Sequence, residues 1–225
     1  MQTCWTAATL AIGELTVPGG PDGNCADSVS RVSAVARKLR SQSDVMEQCR
    51  KLQVDVRTAF GRLPSSDPAV VDVIWQGEAL GTLLWALQLA ELPPYDEPFV
   101  TEDVVEASLG SAALRDHETV ELELESARLW HWRARTRAVQ ADGTIELPER
   151  YASFDQLIAA TAMRGFEQGL LPAPMRGDFP AYGKVYRHIS AEQHAEAHSI
   201  AAERQHALGW LCGEGDTWGD VPLDT

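Results

Sequence analysis

The chain has 225 residues, of which 44% are hydrophobic and 23% charged. That balance belongs to a globular protein with a sizeable core and excludes a disordered chain. Its formal net charge of -14 repels phosphate backbones and anionic lipid surfaces, so neither nucleic acid nor membrane is an expected partner.

Residues 1–26 read as a separate N-terminal arm and linker, and 27–225 as one helical domain. The opening Met1-Gln2-Thr3-Cys4-Trp5 has no basic run, and the apolar stretch after it is broken by Thr6, Thr9, Gly13 and Glu14. Neither a signal peptide nor a membrane span is expected there. Thr6 to Val17 is β-prone, and Pro18 to Gly23 is turn-forming, which predicts a short extended or β-like arm. Helical spacing begins after Ser28 and predicts helices over Ser30–Arg40 and Asp44–Phe60. Asp67 and Pro68 then form an N-cap and first-turn pair for the most apolar helix, predicted over Ala69–Glu91 and stopped by Pro93-Pro94. Glu102–Gly110 predicts a short helix and Glu118–Gln140 a long one, acidic in its first half and basic in its second, as the helix dipole favours. Ser153–Gln168 is amphipathic, Leu171–Gly183 reads as loop, and Ser190 with Gln193 forms a capping box for a last helix to about Leu211. The expected fold is all-α: a single-domain bundle of roughly six to eight helices with a short extended N-terminal arm.

Two charged residues fall on apolar helix faces. Arg204 lies in the stripe of Ala197, Ile200, Ala207, Leu208 and Leu211, and Glu78 falls between Val71, Ile74 and Trp85. A buried charge is costly unless it is paired or does chemistry, so the two are expected to meet, as a bidentate structural pair or as part of a pocket. Asp224 is the second choice of partner for Arg204. His194 and His198 stand one helical turn apart, but no glutamate follows His194 and no third ligand is evident, so they are weak metal candidates and no metal is expected. The four cysteines, Cys4, Cys25, Cys49 and Cys212, contain no C-x-x-C pair, which points away from zinc and towards reduced thiols in a cytoplasmic protein. Nucleophile-elbow, Walker and dinucleotide-binding motifs are absent from the sequence, and no cofactor is expected.

Tryptophans gather around the charged residues. Trp75, Trp85, Trp130, Trp132, Trp210 and Trp218 flank Glu78, His131, Arg133, Glu203, Arg204 and Asp224. These six charged or imidazole residues form the candidate polar network or ligand site, with Trp75, Trp85, Trp132, Trp210 and Trp218 as its aromatic lining. Three blocks carry a resemblance: Trp75-Gln76-Gly77-Glu78-Ala79-Leu80 with Leu84-Trp85-Ala86-Leu87; Leu129 to Arg135; and Tyr182 to Tyr186 followed by Ser199 to Arg204, Ala207 to Leu211, Trp218 and Asp224-Thr225. Over residues 28–225 this resembles a widespread bacterial family, domain of unknown function 4272. The family's A-L-N-W-L carries Gly209 here, and its W-D carries Trp218-Gly219. The resemblance implies no activity. The expected function is that of a soluble bacterial non-enzymatic binding or interaction protein, its acidity matched to a basic protein partner or a small ligand. The alternative is an enzyme whose Glu/Arg/His pocket acts on a small anionic substrate.

Overall fold

The computed structural model describes residues 38–64, 66–142 and 151–223. The fold is all-α, with six α-helices and one two-stranded ribbon among those residues. The N-terminal arm, most of the helix expected over Ser30–Arg40 and the terminal Asp224-Thr225 lie outside them; Lys38–Arg40, which fall inside, are not helical. Arg40 instead donates through Nε to Trp210 O at 3.0 Å, and its guanidinium carbon sits 4.8 Å over the Trp210 ring.

Helix α1 spans Gln42–Phe60, and α2 spans Pro68–Ala86. The Asp67 side chain caps α2 by accepting from Ala69 N at 3.1 Å, with Pro68 in the first turn. The helix ends earlier than its apolar content predicts. Gln88 adopts a left-handed conformation (φ 60), and Leu89 N donates back to Leu84 O at 2.9 Å, which closes a Schellman-type cap. The carbonyls left open at this end are taken by Ala113 N, Arg115 N and Arg115 Nε, so a later segment of chain terminates α2 before Pro93-Pro94 is reached.

Helix α3 (Thr101–Glu106) is shorter than its expected span, whereas α4 (His117–Asp142) and α5 (Phe154–Glu167) lie close to theirs. Helix α6 (Ala191–Leu211) opens with the capping box: Ser190 Oγ accepts from Gln193 N at 3.1 Å, and Gln193 Oε1 accepts from Ser190 N at 3.0 Å. The stretch 171–183, expected as loop, holds strand β1 (Pro180–Ala181), which pairs antiparallel with β2 (Lys184–Val185) just beyond it. Tyr182 (φ 51) and Gly183 (φ 66) make the two-residue turn between them, and both need the left-handed region that such hairpins demand.

Helix α6 packs against both α4 and α2, and α1 covers α2. The core runs through Leu80, Leu83, Leu84, Ile200, Leu208 and Leu211, all fully buried. Gly81 has a specific task in it: a Cβ there would stand 2.4 Å from the Phe99 ring, so glycine lets Phe99 lie directly on α2. No helix of the described residues is long and apolar enough to cross a membrane.

Candidate functional site

Helices α2 and α6 bring Glu78 and Arg204 together in the core, where they are 3% and 0% exposed. Arg204 Nε donates to Glu78 Oε2 at 3.1 Å, and Nη2 stands 3.1 Å from the same oxygen. The expected fork across both carboxylate oxygens is not formed, because Oε1 is taken by Phe99 N at 2.6 Å. The rest of the guanidinium serves the chain that leaves α2. Nη1 donates to Pro93 O at 2.7 Å and Pro94 O at 3.2 Å, and Nη2 to Glu97 O at 2.9 Å. Its carbon lies 4.8 Å over the Tyr95 ring and 5.3 Å from the Phe99 centroid. A buried carbonyl without a donor is unfavourable, and here one arginine satisfies three in a segment that has no regular structure. Burial raises the Glu78 carboxyl above its ordinary value, and the charge of Arg204 and the Phe99 amide only partly pull it back.

Arg133 belongs to a second pair, not to the first. It is fully buried on α4 and forks onto Asp178, Nε to Oδ1 at 2.7 Å and Nη2 to Oδ2 at 2.9 Å. Asp178 also accepts from Phe179 N at 2.8 Å and Arg187 N at 3.1 Å. Burial alone would raise this carboxyl, but the hydrogen bonds and charge of Arg133, joined by the two amides, hold it below the ordinary aspartate value. Arg133 Nη1 is buried with no hydrogen-bond partner among the described residues, and the guanidinium carbon lies 4.6 Å over Tyr186.

The remaining candidates separate further, so the single network expected from the sequence is several clusters. His131 is buried on α4, with Nδ1 2.7 Å from Gln205 Oε1 on α6 and its ring 5.2 Å from that of His198. Burial, only partly opposed by the Gln205 hydrogen bond, pushes its pKa down to about 4. His194 is likewise pushed down to about 4 by burial and by Arg137, and its ring is 6.5 Å from that of His198. Among the described residues, no group of three or more histidine, cysteine or acidic side chains could hold a metal ion. Glu203 is half-buried, and burial beside Glu78 and Asp72 pushes it up to about 7. Asp224 lies outside the described residues.

The expected tryptophan lining is dispersed. Trp85 carries the Arg115 guanidinium at 4.8 Å, Trp132 lies 6.4 Å from Phe179, and Trp210 meets Trp218 edge-on at 5.4 Å. Trp218 also lies against His206, ring centroids 4.7 Å apart and tilted, and Trp75 is a half-buried packing residue. Trp130 faces a cavity. A pocket of about 380 Å³ opens between residues 92–96, helix α4 and residues 170–180. Tyr95, Asp96, Glu123, Ser126 and Trp130 contribute to its wall. Tyr95 stacks on Trp130 at 5.4 Å and donates its hydroxyl to Glu123 Oε1 at 2.7 Å. Burial raises the Glu123 carboxyl, with the Tyr95 hydrogen bond opposing it. None of Glu78, Arg133, His131 or Arg204 lines this pocket, but Arg204 holds the carbonyls of its Pro93-Pro94 wall.

Sequence reasoning missed Asp178, Gln205, Tyr95 and Glu123. Gln205 had a usable signal, since it directly follows Arg204 on the helix; Asp178 sits in irregular chain, where periodicity carries no information. No family model, curated protein or solved structure matches the chain.

Proposed function

We propose that this protein acts by binding, not by catalysis, and that residues 92–96, helix α4 and residues 170–180 form its binding site. The observation that carries this reading is the contrast between the core charges and the pocket. Glu78, Arg204, Arg133 and Asp178 are spent on one another and on backbone groups, as structural ion pairs are, while the pocket has a volume in the small-molecule range and a mixed aromatic and polar wall. Arg204 then acts as a positioning residue that fixes one wall. The resemblance to domain of unknown function 4272 forms part of the same proposal and brings no activity with it. A cytoplasmic location is also part of it, supported by Cys49, a buried free thiol.

The enzymatic alternative draws on Glu203, whose pKa of about 7 suits a general acid or base. Its neighbours Asp72 and Glu78 are acidic and disfavour the anionic substrate that this alternative requires.

Purification from the cells that make the protein, followed by mass spectrometry for retained proteins and small molecules, tests the reading. A retained molecule that the pocket-filling variant Leu170→Trp loses supports it. Chemical conversion of that molecule by the purified protein sinks it.

A further inference from the structure

We propose that the pocket takes an organic cation, an ammonium group carried on a short apolar stem. The inference rests on the binding reading above and names the ligand chemistry of the same site.

Two carboxyl groups stand in the wall, Glu123 and Asp96. One oxygen of Glu123 accepts the Tyr95 hydroxyl, and one oxygen of Asp96 accepts Tyr182 N. A carboxylate has capacity for more donors than this, so both groups can still accept. Neither makes an ion pair with a described residue, although arginines elsewhere in this fold are placed against carboxylates with care. Among the described residues, no lysine, arginine or histidine lines the pocket. Arg204 touches Tyr95 without lining the pocket; it pairs with Glu78, and its charge reaches Glu123 through space without forming an ion pair with it.

The rest of the wall is proline, leucine and the Trp130 indole, with the Ser126 hydroxyl already donated to Leu170 O at 2.9 Å. Such a wall discriminates by charge. An anion meets two carboxylates and is repelled. A neutral alkyl chain gains only the apolar surface. An ammonium on an apolar stem supplies a counter-charge in direct contact, donates to the open carboxylate oxygens and buries its methylenes against proline and indole. The raised Glu123 carboxyl agrees with this geometry, because an arriving cation offsets the desolvation that raises it.

The ammonium group has two sources, a free amine or the side chain of a lysine in a peptide, and titration calorimetry on the full chain separates them. The probes are n-pentylammonium chloride, a short peptide with one central lysine, n-pentanol and sodium pentanoate. Saturable binding of n-pentylammonium is expected at neutral pH, with n-pentanol and pentanoate weaker by at least about tenfold. A peptide that matches n-pentylammonium assigns the source as a protein; a weaker peptide assigns it as a free amine.

Glu123→Gln keeps the volume and an acceptor for the Tyr95 hydroxyl while removing the charge, and is expected to weaken n-pentylammonium about tenfold. If that variant fails to fold, Asp96→Asn replaces it with the same expectation. Equal affinity for n-pentanol and n-pentylammonium overturns the proposal, as does unchanged affinity in a folded charge-removed variant. Absence of binding by any ammonium probe also overturns it. If the ammonium probes fail while Leu170→Trp still strips a molecule retained from cells, the cation assignment falls and the binding reading stands. Turnover of the retained molecule removes the binding reading whatever the probes do.

Discussion

Arg204 and Arg133 are both fully buried and each faces one carboxylate, yet the hydrogen bonds around them are distributed in opposite ways. At Arg204 the cation is saturated: one carboxylate oxygen and three backbone carbonyls surround it, while Glu78 has one amide besides. At Arg133 the anion is saturated: Asp178 takes the fork and two amides, with Arg187 Nε also 3.4 Å from Oδ2, while Arg133 Nη1 has no hydrogen-bond partner among the described residues. The carboxyl pKa values follow, raised at Glu78 and lowered at Asp178. The difference teaches that an ion pair's vulnerability depends on which partner can shed its charge. A glutamate left alone can take up a proton and become neutral; an arginine cannot release one.

The largest effect should therefore come from Asp178→Ala. It strands a fully buried guanidinium and should cost about 5 kcal/mol in urea denaturation. Arg204→Ala strands a carboxyl that already tends towards neutrality and leaves the carbonyls of Pro93, Pro94 and Glu97 to water, Pro94 and Glu97 being exposed residues, and should cost about 3 kcal/mol. A greater loss in Arg204→Ala than in Asp178→Ala breaks the comparison. Arg50, which is exposed, is the proper control and should change stability by less than about 0.5 kcal/mol on conversion to alanine. Arg137 is unsuitable as such a control: it donates to Tyr186 O at 3.1 Å and Ile189 O at 2.9 Å.

Acid sharpens the contrast. The Glu78 carboxyl is raised in the folded state, so its titration favours folding at low pH and loses that contribution as pH rises. Asp178 is lowered, so its contribution is present above the ordinary value of 3.8 and lost as pH falls below it. Between these regimes lies His131, depressed from 6.5 to about 4. The unfolded chain takes up this proton first, so stability should fall by about 2 kcal/mol between about pH 7 and pH 5 from this residue. Chemical denaturation across that range should show a flatter profile in His131→Asn; an unchanged profile removes the histidine from the account.

The smallest expected effect is local. Gly81→Ala drives a methyl group into the Phe99 ring and should cost about 1.5 kcal/mol, with the Phe99 ring displaced in the NMR spectrum. Gly209 is less tightly enclosed, since a Cβ would stand 2.9 Å from Glu214 Oε2, the movable end of a side chain, and 3.0 Å from Val221 Cγ1.

The helices were legible because their faces repeat, and the same periodicity exposed Glu78 and Arg204 as charges on apolar stripes. It could not reveal the end of α2, which is set by the distant residues Ala113 and Arg115 closing its carbonyls. Nor could it reveal Asp178, which lies just past a tight turn at Arg176 (φ 51) and Gly177 (φ 75) in a segment without periodicity. The pocket was equally hidden, since its wall is assembled from three segments far apart in sequence. Trp130 was visible as one of a tryptophan cluster, but its neighbours on α4 did not distinguish it from Trp132.

Three consecutive residues of α6 face three different settings: Glu203 beside Asp72, Arg204 on Glu78, and Gln205 on His131. Like the teeth of a key, they fit one lock only. One turn to either side of Arg204 stand Ile200 and Leu208, both fully buried, so a smooth apolar helix could slide by a turn with little penalty. Here such a slide would set an aliphatic side chain against the Glu78 carboxylate and leave the carbonyls of Pro93, Pro94 and Glu97 without donors. The polar teeth thus fix the helix's axial and rotational setting, and the grease of the core supplies the cohesion.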